Sequence, residues 1–365
     1  MRTKEDKRNL GMGIGGVLCL LASGLLLVTS SQISGFGEWY ASTLYPVFVS
    51  SVGRGFGLIP WSVAEIGLYV AVIAFVGSFL SVLCRILLGK ASVKKLLTWL
   101  LTWFLSASVL ALLYVLLCGI NYHRQSFATH AGLAEQPYSV EELKGLCLEL
   151  TEKVNRLSTQ VERDEGGCMI LSEGVREEAV AAMEGLGEEY PVLDGFYPKP
   201  KALAVPALLS VQNLTGIYSP FTVEANYNGA ITDYNIPFTA CHELSHLKGF
   251  MEEEEANFIA YLACVHAGDI EFQYSGNLLA WIYSMNALYK FDLEAWRGVR
   301  NQLDEEVEAD LTANQKFWDQ YEGPVAEVSN KVNDTYLKAN GQKEGVKSYD
   351  RMVDLLIAYR KKEDR

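Results

Sequence analysis

The chain of 365 residues predicts a protein in two parts: a membrane α-helical N-terminal part with three transmembrane helices, then a mainly α (α+β) domain with a short strand element. Two observations lead there. Half of the residues are hydrophobic, and they gather near the N-terminus in three uncharged runs of the length a bilayer core requires. Charge is divided just as unevenly. Residues 1–120 hold nine Lys and Arg against four Asp and Glu, a balance of +5, and residues 121–365 hold 22 against 40, a balance of −18. A domain that acidic repels phosphates, which argues against a nucleic-acid partner.

The runs are Gly11–Thr29, Ile66–Cys84 and Leu96–Ile120, and they define an anchor over residues 1–120. Trp61, Trp99 and Tyr122 stand near their ends, as interfacial aromatics do, and Trp103 shares a face with Trp99. The N-terminal tail carries Arg2, Lys4, Lys7 and Arg8, the second link carries Arg85, Lys90, Lys94 and Lys95, and the first link carries only Arg54. The positive-inside rule keeps tail and second link in the cytoplasm and places residues 121–365 outside the cytoplasmic membrane. The first run also has the basic start and the small following residues of a signal peptide, whose removal would leave the acidic part on the same side. No ionisable group interrupts the runs, so they read as an anchor in the lipid bilayer rather than a transport path. The small residues of "GMGIGG" suit self-association between copies.

Residues 121–137 read as a juxtamembrane linker and residues 138–365 as the domain. "SVEELKGLCLELTEKVNRL" is an amphipathic helix opened by a capping box, Ser139 with Glu142. "EGVREEAVAAMEGL" is a second helix, closed by Gly187 and Pro191. Between Ala202 and Tyr234, Pro, Gly, Asn and β-branched residues predict one or two short strands near Leu214–Val223. Gly216–Asn226 is a candidate edge strand for pairing with an extended peptide. After Pro237 the pattern is helical and mostly remains so to Lys361. Cys19, Cys84 and Cys118 read as small core residues, and Cys147 and Cys168 as buried thiols or a disulfide. No CxxC spacing offers a cysteine zinc site.

The chemistry concentrates in "CHELSHLKGFMEEEEANFIAYLAC", Cys241–Cys264. His242, Glu243 and His246 spell HExxH. On a helix over Phe238–Lys248, stopped by Gly249, both imidazoles point the same way and Glu243 can reach a water beside a metal. The flanking Phe238, Leu244, Leu247 and Phe250 bury this helix, and buried polar groups need partners that a metal supplies. A catalytic Zn2+ takes three protein ligands and leaves one position open.

The third ligand comes from Glu252–Glu255, which open a helix that is apolar nearly all round. Asn257 is its only strongly polar interior residue and suits the second N–H of a ligand histidine. Glu253 shares the face of Asn257, four residues away, and is the favoured ligand. Glu252 competes, because it falls where HExxHxxGxxH enzymes carry their third ligand. The remaining glutamates suit the helix dipole. Tyr274 is a candidate oxyanion donor, with an ordinary half-buried tyrosine as the alternative. His123 and His130 read as linker residues, and His266 as a helix end.

HExxH followed by a helix with Glu-x-x-Ala-Asn resembles the gluzincin zinc peptidases, on Glu253, Ala256 and Asn257. The interval between His246 and Glu253 is shorter than in the better-known gluzincins. More closely, the chain resembles a bacterial membrane-protein family catalogued as domain of unknown function 3810. The shared features are N-terminal spans, "SPFTVEANYN", "PFTACHELSHLKGF", "EEEANFIAYLAC" and "YSGNLLA". The resemblance implies a zincin-like metallopeptidase domain. The expected function is a membrane-anchored zinc metallopeptidase acting on a peptide or protein substrate, with Glu243 as general base. The alternative is a non-catalytic zinc-binding sensor or scaffold.

Overall fold

The computed structural model describes residues 3–134, 136–340 and 351–364. It is mostly helical. Helices α1 (Lys4–Gln32), α3 (Val63–Leu87) and α4 (Lys94–Leu117) are long and apolar enough to cross a membrane. Between α1 and α3 lies α2 (Phe36–Thr43). The small residues of α1 are used within the chain: Gly13, Gly15 and Gly16 face Leu101, Leu105 and Phe104 of α4, and a Cβ on Gly16 would fall 2.4 Å from the Phe104 ring. Those three glycines therefore let α4 approach closely within the chain. Trp99 and Trp103 also turn inward, against α3. Trp99 Nε1 donates to Ser78 Oγ at 2.9 Å, and its ring stands 5.2 Å from both Phe75 and Phe79. Trp99, near the end of its span, is thus also a contact between helices. Cys84 is exposed on α3 rather than a core residue, and Cys147 and Cys168 are both free thiols.

The link between α1 and α3 is not a plain loop. After α2 it runs through helical turns and a π-helical stretch, Val49–Gly53, that bury Tyr45 and Val49. The segment read as a linker is packed as well: Phe127 is fully buried, and its N–H donates to Glu255 Oε1 at 2.6 Å. No free tether separates membrane part from acidic part. The head of α3 is pinned to the sheet by carboxylates, which suit a helix N-terminus. Glu224 accepts from Val63 N at 3.2 Å and Ala64 N at 2.8 Å and pairs with Lys201. Lys201 Nζ also donates to Phe56 O at 2.9 Å and Trp61 O at 3.1 Å. Glu65 accepts from Ala204 N at 2.7 Å and Val205 N at 2.9 Å.

In the acidic part, α5 (Val140–Ser158) opens with the expected capping box of Ser139 and Glu142. Helix α6 (Val175–Glu189) runs through Gly187 instead of stopping there; a Cβ on Gly187 would fall 3.2 Å from Asp194 Cα, so the glycine lets the Leu193–Asp194 backbone approach the helix closely. Strands β1 (Lys201–Ala202), β2 (Gly216–Ser219) and β3 (Glu224–Tyr227) form one sheet in the order β1-β3-β2. β1 pairs parallel to β3, and β2 pairs antiparallel with Gly216 opposite Tyr227. Helices α7 (Asn235–Leu247), α8 (Glu253–His266) and α9 (Ile270–Phe291) build the core over β3 and α5. α7 starts before Pro237, since a proline in a first turn lacks only an N–H that needs no intrahelical partner. The Ser275 hydroxyl then bridges Tyr234 O and Phe238 N, fixing α7 on α9. Trp281 Nε1 donates to Thr151 Oγ1 at 2.9 Å and ties α9 to α5. The chain continues through α10 (Leu293–Arg300), α11 (Glu305–Asp319), α12 (Pro324–Ala339) and α13 (Met352–Glu363).

Candidate metal centre

Helix α7 carries HExxH through the core with Cys241, Leu244, Ser245 and Leu247 fully buried on its other faces. His242 and His246, one turn apart, set their rings 4.6 Å centre to centre and nearly perpendicular. The chain turns at Gly249, φ 90°, and α8 returns with Glu253 at its first position. Glu253 Oε2 stands 3.3 Å from His242 Nε2, and Oε1 3.8 Å from His246 Nε2. Ligand atoms of these three residues lie within 4.8 Å of one another, and no fourth His, Cys, Asp or Glu joins them among the described residues.

Local hydrogen bonds orient the set. His246 Nδ1–H donates to Phe250 O at 2.8 Å, which leaves the Nε2 lone pair toward Glu253. This partner is a backbone carbonyl and had no sequence signal. Asn257 is buried with its amide against His242, where it favours the protonated ring. His242 Nδ1 and Asn257 Nδ2 have no hydrogen-bond partner among the described residues. The end of α7 is held by the membrane-proximal segments: Tyr45 Oη donates to Leu247 O at 3.0 Å, and Arg124 Nη1 to Lys248 O at 2.9 Å. Tyr45 has one proton, so Tyr218 Oη donates to Tyr45 across their 2.9 Å contact.

Charges interact strongly here. Burial favours protonated Glu253, but hydrogen bonds from both imidazoles outweigh it and hold the carboxyl far below its usual range. Burial lowers His242, and the Glu253 contact only partly offsets that. His246 is also disfavoured as a cation by burial, yet Glu253 wins and raises it to about 9. Burial pushes Glu243 up to about 8. Glu243 is 4% exposed, and its Oε2 has no hydrogen-bond partner among the described residues. Strand β2 passes directly over it: a Cβ on Gly216 would fall 2.4 Å from Glu243 Oε1.

The four glutamates divide between the histidines and a side cavity. Glu253 joins the histidines. Glu252 is the N-cap of α8 and lines a cavity of about 240 Å³ with Ser126, Glu254, Glu255, Arg351 and Leu355. Glu254 pairs with Arg351 at 3.0 Å, and Glu255 accepts from Phe127 N. Glu254 and Glu255 are therefore buried contacts rather than surface acids that merely suit a helix dipole. Tyr274, the candidate oxyanion donor, is fully buried, and its hydroxyl donates to Asp310 Oδ2 at 2.6 Å, within a cluster that includes Arg163. Burial dominates at Tyr122 and raises its hydroxyl, and the Glu253 charge adds only weakly, a proximity that only folding creates. His130 faces Glu38 at 3.4 Å, away from the centre.

A family model described as Protein of unknown function (DUF3810) matches residues 40–357, and the chain belongs to that family. No curated protein and no solved structure matches it.

Proposed function

We propose that this family member is a membrane-anchored zinc metallopeptidase in which His242, His246 and Glu253 hold Zn2+ and Glu243 is the general base. The observation that carries this is the convergence of three ligand atoms within 4.8 Å beside a buried carboxylate oxygen that lacks a partner. Two imidazoles and one carboxylate, with no fourth protein donor among the described residues, match a catalytic donor set rather than a closed structural one. Zn2+ bound there would supply Lewis acidity, polarising a peptide carbonyl and acidifying a water.

The chain's own groups supply the rest. Glu243 takes the proton of the attacking water at its free oxygen and passes it to the leaving amine. Phe250 O orients the His246 imidazole through its Nδ1, and the Asn257 amide lies against the His242 ring. β2 is an edge of the sheet, and Gly216 brings it over Glu243 with no side chain between. An extended peptide or protein substrate added along that edge would run past the base. The positive-inside count places the centre outside the cytoplasmic membrane.

The test is Glu243→Gln in the full-length protein. Zn2+ content should be unchanged, and cleavage of a peptide library should drop by about 10²–10⁴-fold. Undiminished cleavage by the zinc-loaded variant overturns the mechanism. Zinc retained by a wild-type protein that cleaves nothing would favour a sensor or scaffold.

A further inference from the structure

Helix α12 is divided lengthwise into three stripes. Ala326, Ser329, Asn333 and Leu337 turn inward, and Leu337 is fully buried. Val325, Val328, Val332 and Tyr336 form a second stripe, exposed at 61, 60, 63 and 39%. Glu327, Lys331, Asp334 and Lys338 form a third. At about 100° per residue the apolar and charged stripes fall on opposite flanks of the buried one. An apolar flank of about 16 Å left open in this way needs an occupant.

The surroundings identify it. Tyr336, at the end of the apolar flank, has its hydroxyl 3.1 Å from that of Tyr114, in the last turn of α4, and 3.3 Å from that of Tyr122. Tyr114 also donates to Asn340 Oδ1 at 2.9 Å. Two residues further along α4, Leu116 O accepts from Tyr40 Oη at 2.7 Å. So α12 and the α1–α3 link meet α4 at levels separated by only about 3 Å along its axis. That link exposes Trp39, Leu44, Val47, Leu58 and Trp61, the residue types of a membrane interface. The apolar flank of α12 thus ends beside α4 at the level where the link carrying those exposed apolar residues meets it, and its charged flank lies on the opposite side of the buried stripe.

We infer that α12 is an interfacial helix whose Val325–Val328–Val332–Tyr336 flank lies in the lipid bilayer surface at the end of α4. This rests on α1, α3 and α4 crossing the bilayer, and it is independent of the metal chemistry. The driving force is burial of the three valines at the boundary between headgroups and acyl chains, with Tyr336 at the polar edge.

The experiment uses the full-length protein, one copy per lipid nanodisc, with a phospholipid carrying a photoactivated carbene precursor high on its acyl chain. Mass mapping should find adducts on Val325, Val328 and Val332 and none on Glu327, Lys331 or Lys338. Val328→Lys combined with Val332→Lys should remove the α12 adducts and leave those on α3 unchanged. Adducts on α3 with none on α12, or equal labelling of both flanks, overturn the inference. So does protection of the valines from both the lipid probe and a water-borne one, which would assign the flank to a second copy or another protein. Absence of adducts on α3 as well would instead refute the spans on which the inference rests.

Discussion

The metal centre and the junction at the head of α3 both bury charge, and they treat it in opposite ways. At the junction Lys201 and Glu224 are 1% and 2% exposed. Lys201 gives protons to Phe56 O, Trp61 O and Glu224, and Glu224 also takes two backbone N–H groups of α3. At the centre Glu243 is nearly as deeply placed, yet one of its oxygens and His242 Nδ1 lack partners among the described residues. Buried charge alone therefore does not mark a reactive site. Nor does an orphaned polar atom alone, since the Tyr190, Tyr234 and Ser284 hydroxyls also lack partners among the described residues; the centre differs in gathering such atoms beside three convergent ligand atoms.

The largest effect that should separate the two regions is at the junction. Lys201→Met strands Glu224 without its cation and should cost about 3–5 kcal/mol of unfolding free energy, read from denaturant titration in detergent. Adding Glu224→Gln should recover part of the loss, and a neutral Lys201→Met would erase the contrast. At the centre, Glu253→Ala should weaken Zn2+ binding by roughly 3 kcal/mol, an even share of a zinc site's binding energy among its ligands. Glu252→Ala should leave binding intact, since Glu252 lines a different cavity. Equal losses in the two variants, measured by metal competition, would undo the ligand assignment.

Proton release sharpens the comparison at smaller scale. In the metal-free protein Glu253 holds His246 at about 9, so at pH 7 this ligand is protonated and must lose its proton to bind a metal. The sign follows: affinity rises with pH, about tenfold per unit for each proton displaced, and levels off above the His246 value. Glu243, near 8, adds to the release as a dication approaches. Calorimetry in two buffers of different ionisation enthalpy should count at least one proton per Zn2+ at pH 7. The smallest effect is Tyr45→Phe, which removes one hydrogen bond from the end of α7. It should cost roughly 0.5–1.5 kcal/mol in thermal unfolding with Zn2+ content unchanged.

What the sequence determined by itself is local or compositional. The three apolar runs needed only length and the absence of charge, HExxH needed only the 3.6-residue helical period, and Ser139 with Glu142 needed only a spacing of three. Asn257 stood out because an amide on an otherwise apolar helix must find a partner. The tertiary structure decided everything that depends on which face meets which. Glu252 and Glu253 are adjacent in sequence, but Glu252 is the extended N-cap of α8 and lines a side cavity, whereas Glu253, the first helical residue, meets the histidines. Tyr274 and Tyr122 are both tyrosines near apolar helices, and only packing commits one to Asp310 and brings the other within reach of the Glu253 charge. The docking of residues 33–62 against α7 had no local signature, because Tyr45 is 202 positions from Leu247 and meets it and Gly249 only in three dimensions. Periodicity is written along the chain, whereas the pairing of distant polar groups is fixed only when the core closes and leaves each of them a single partner.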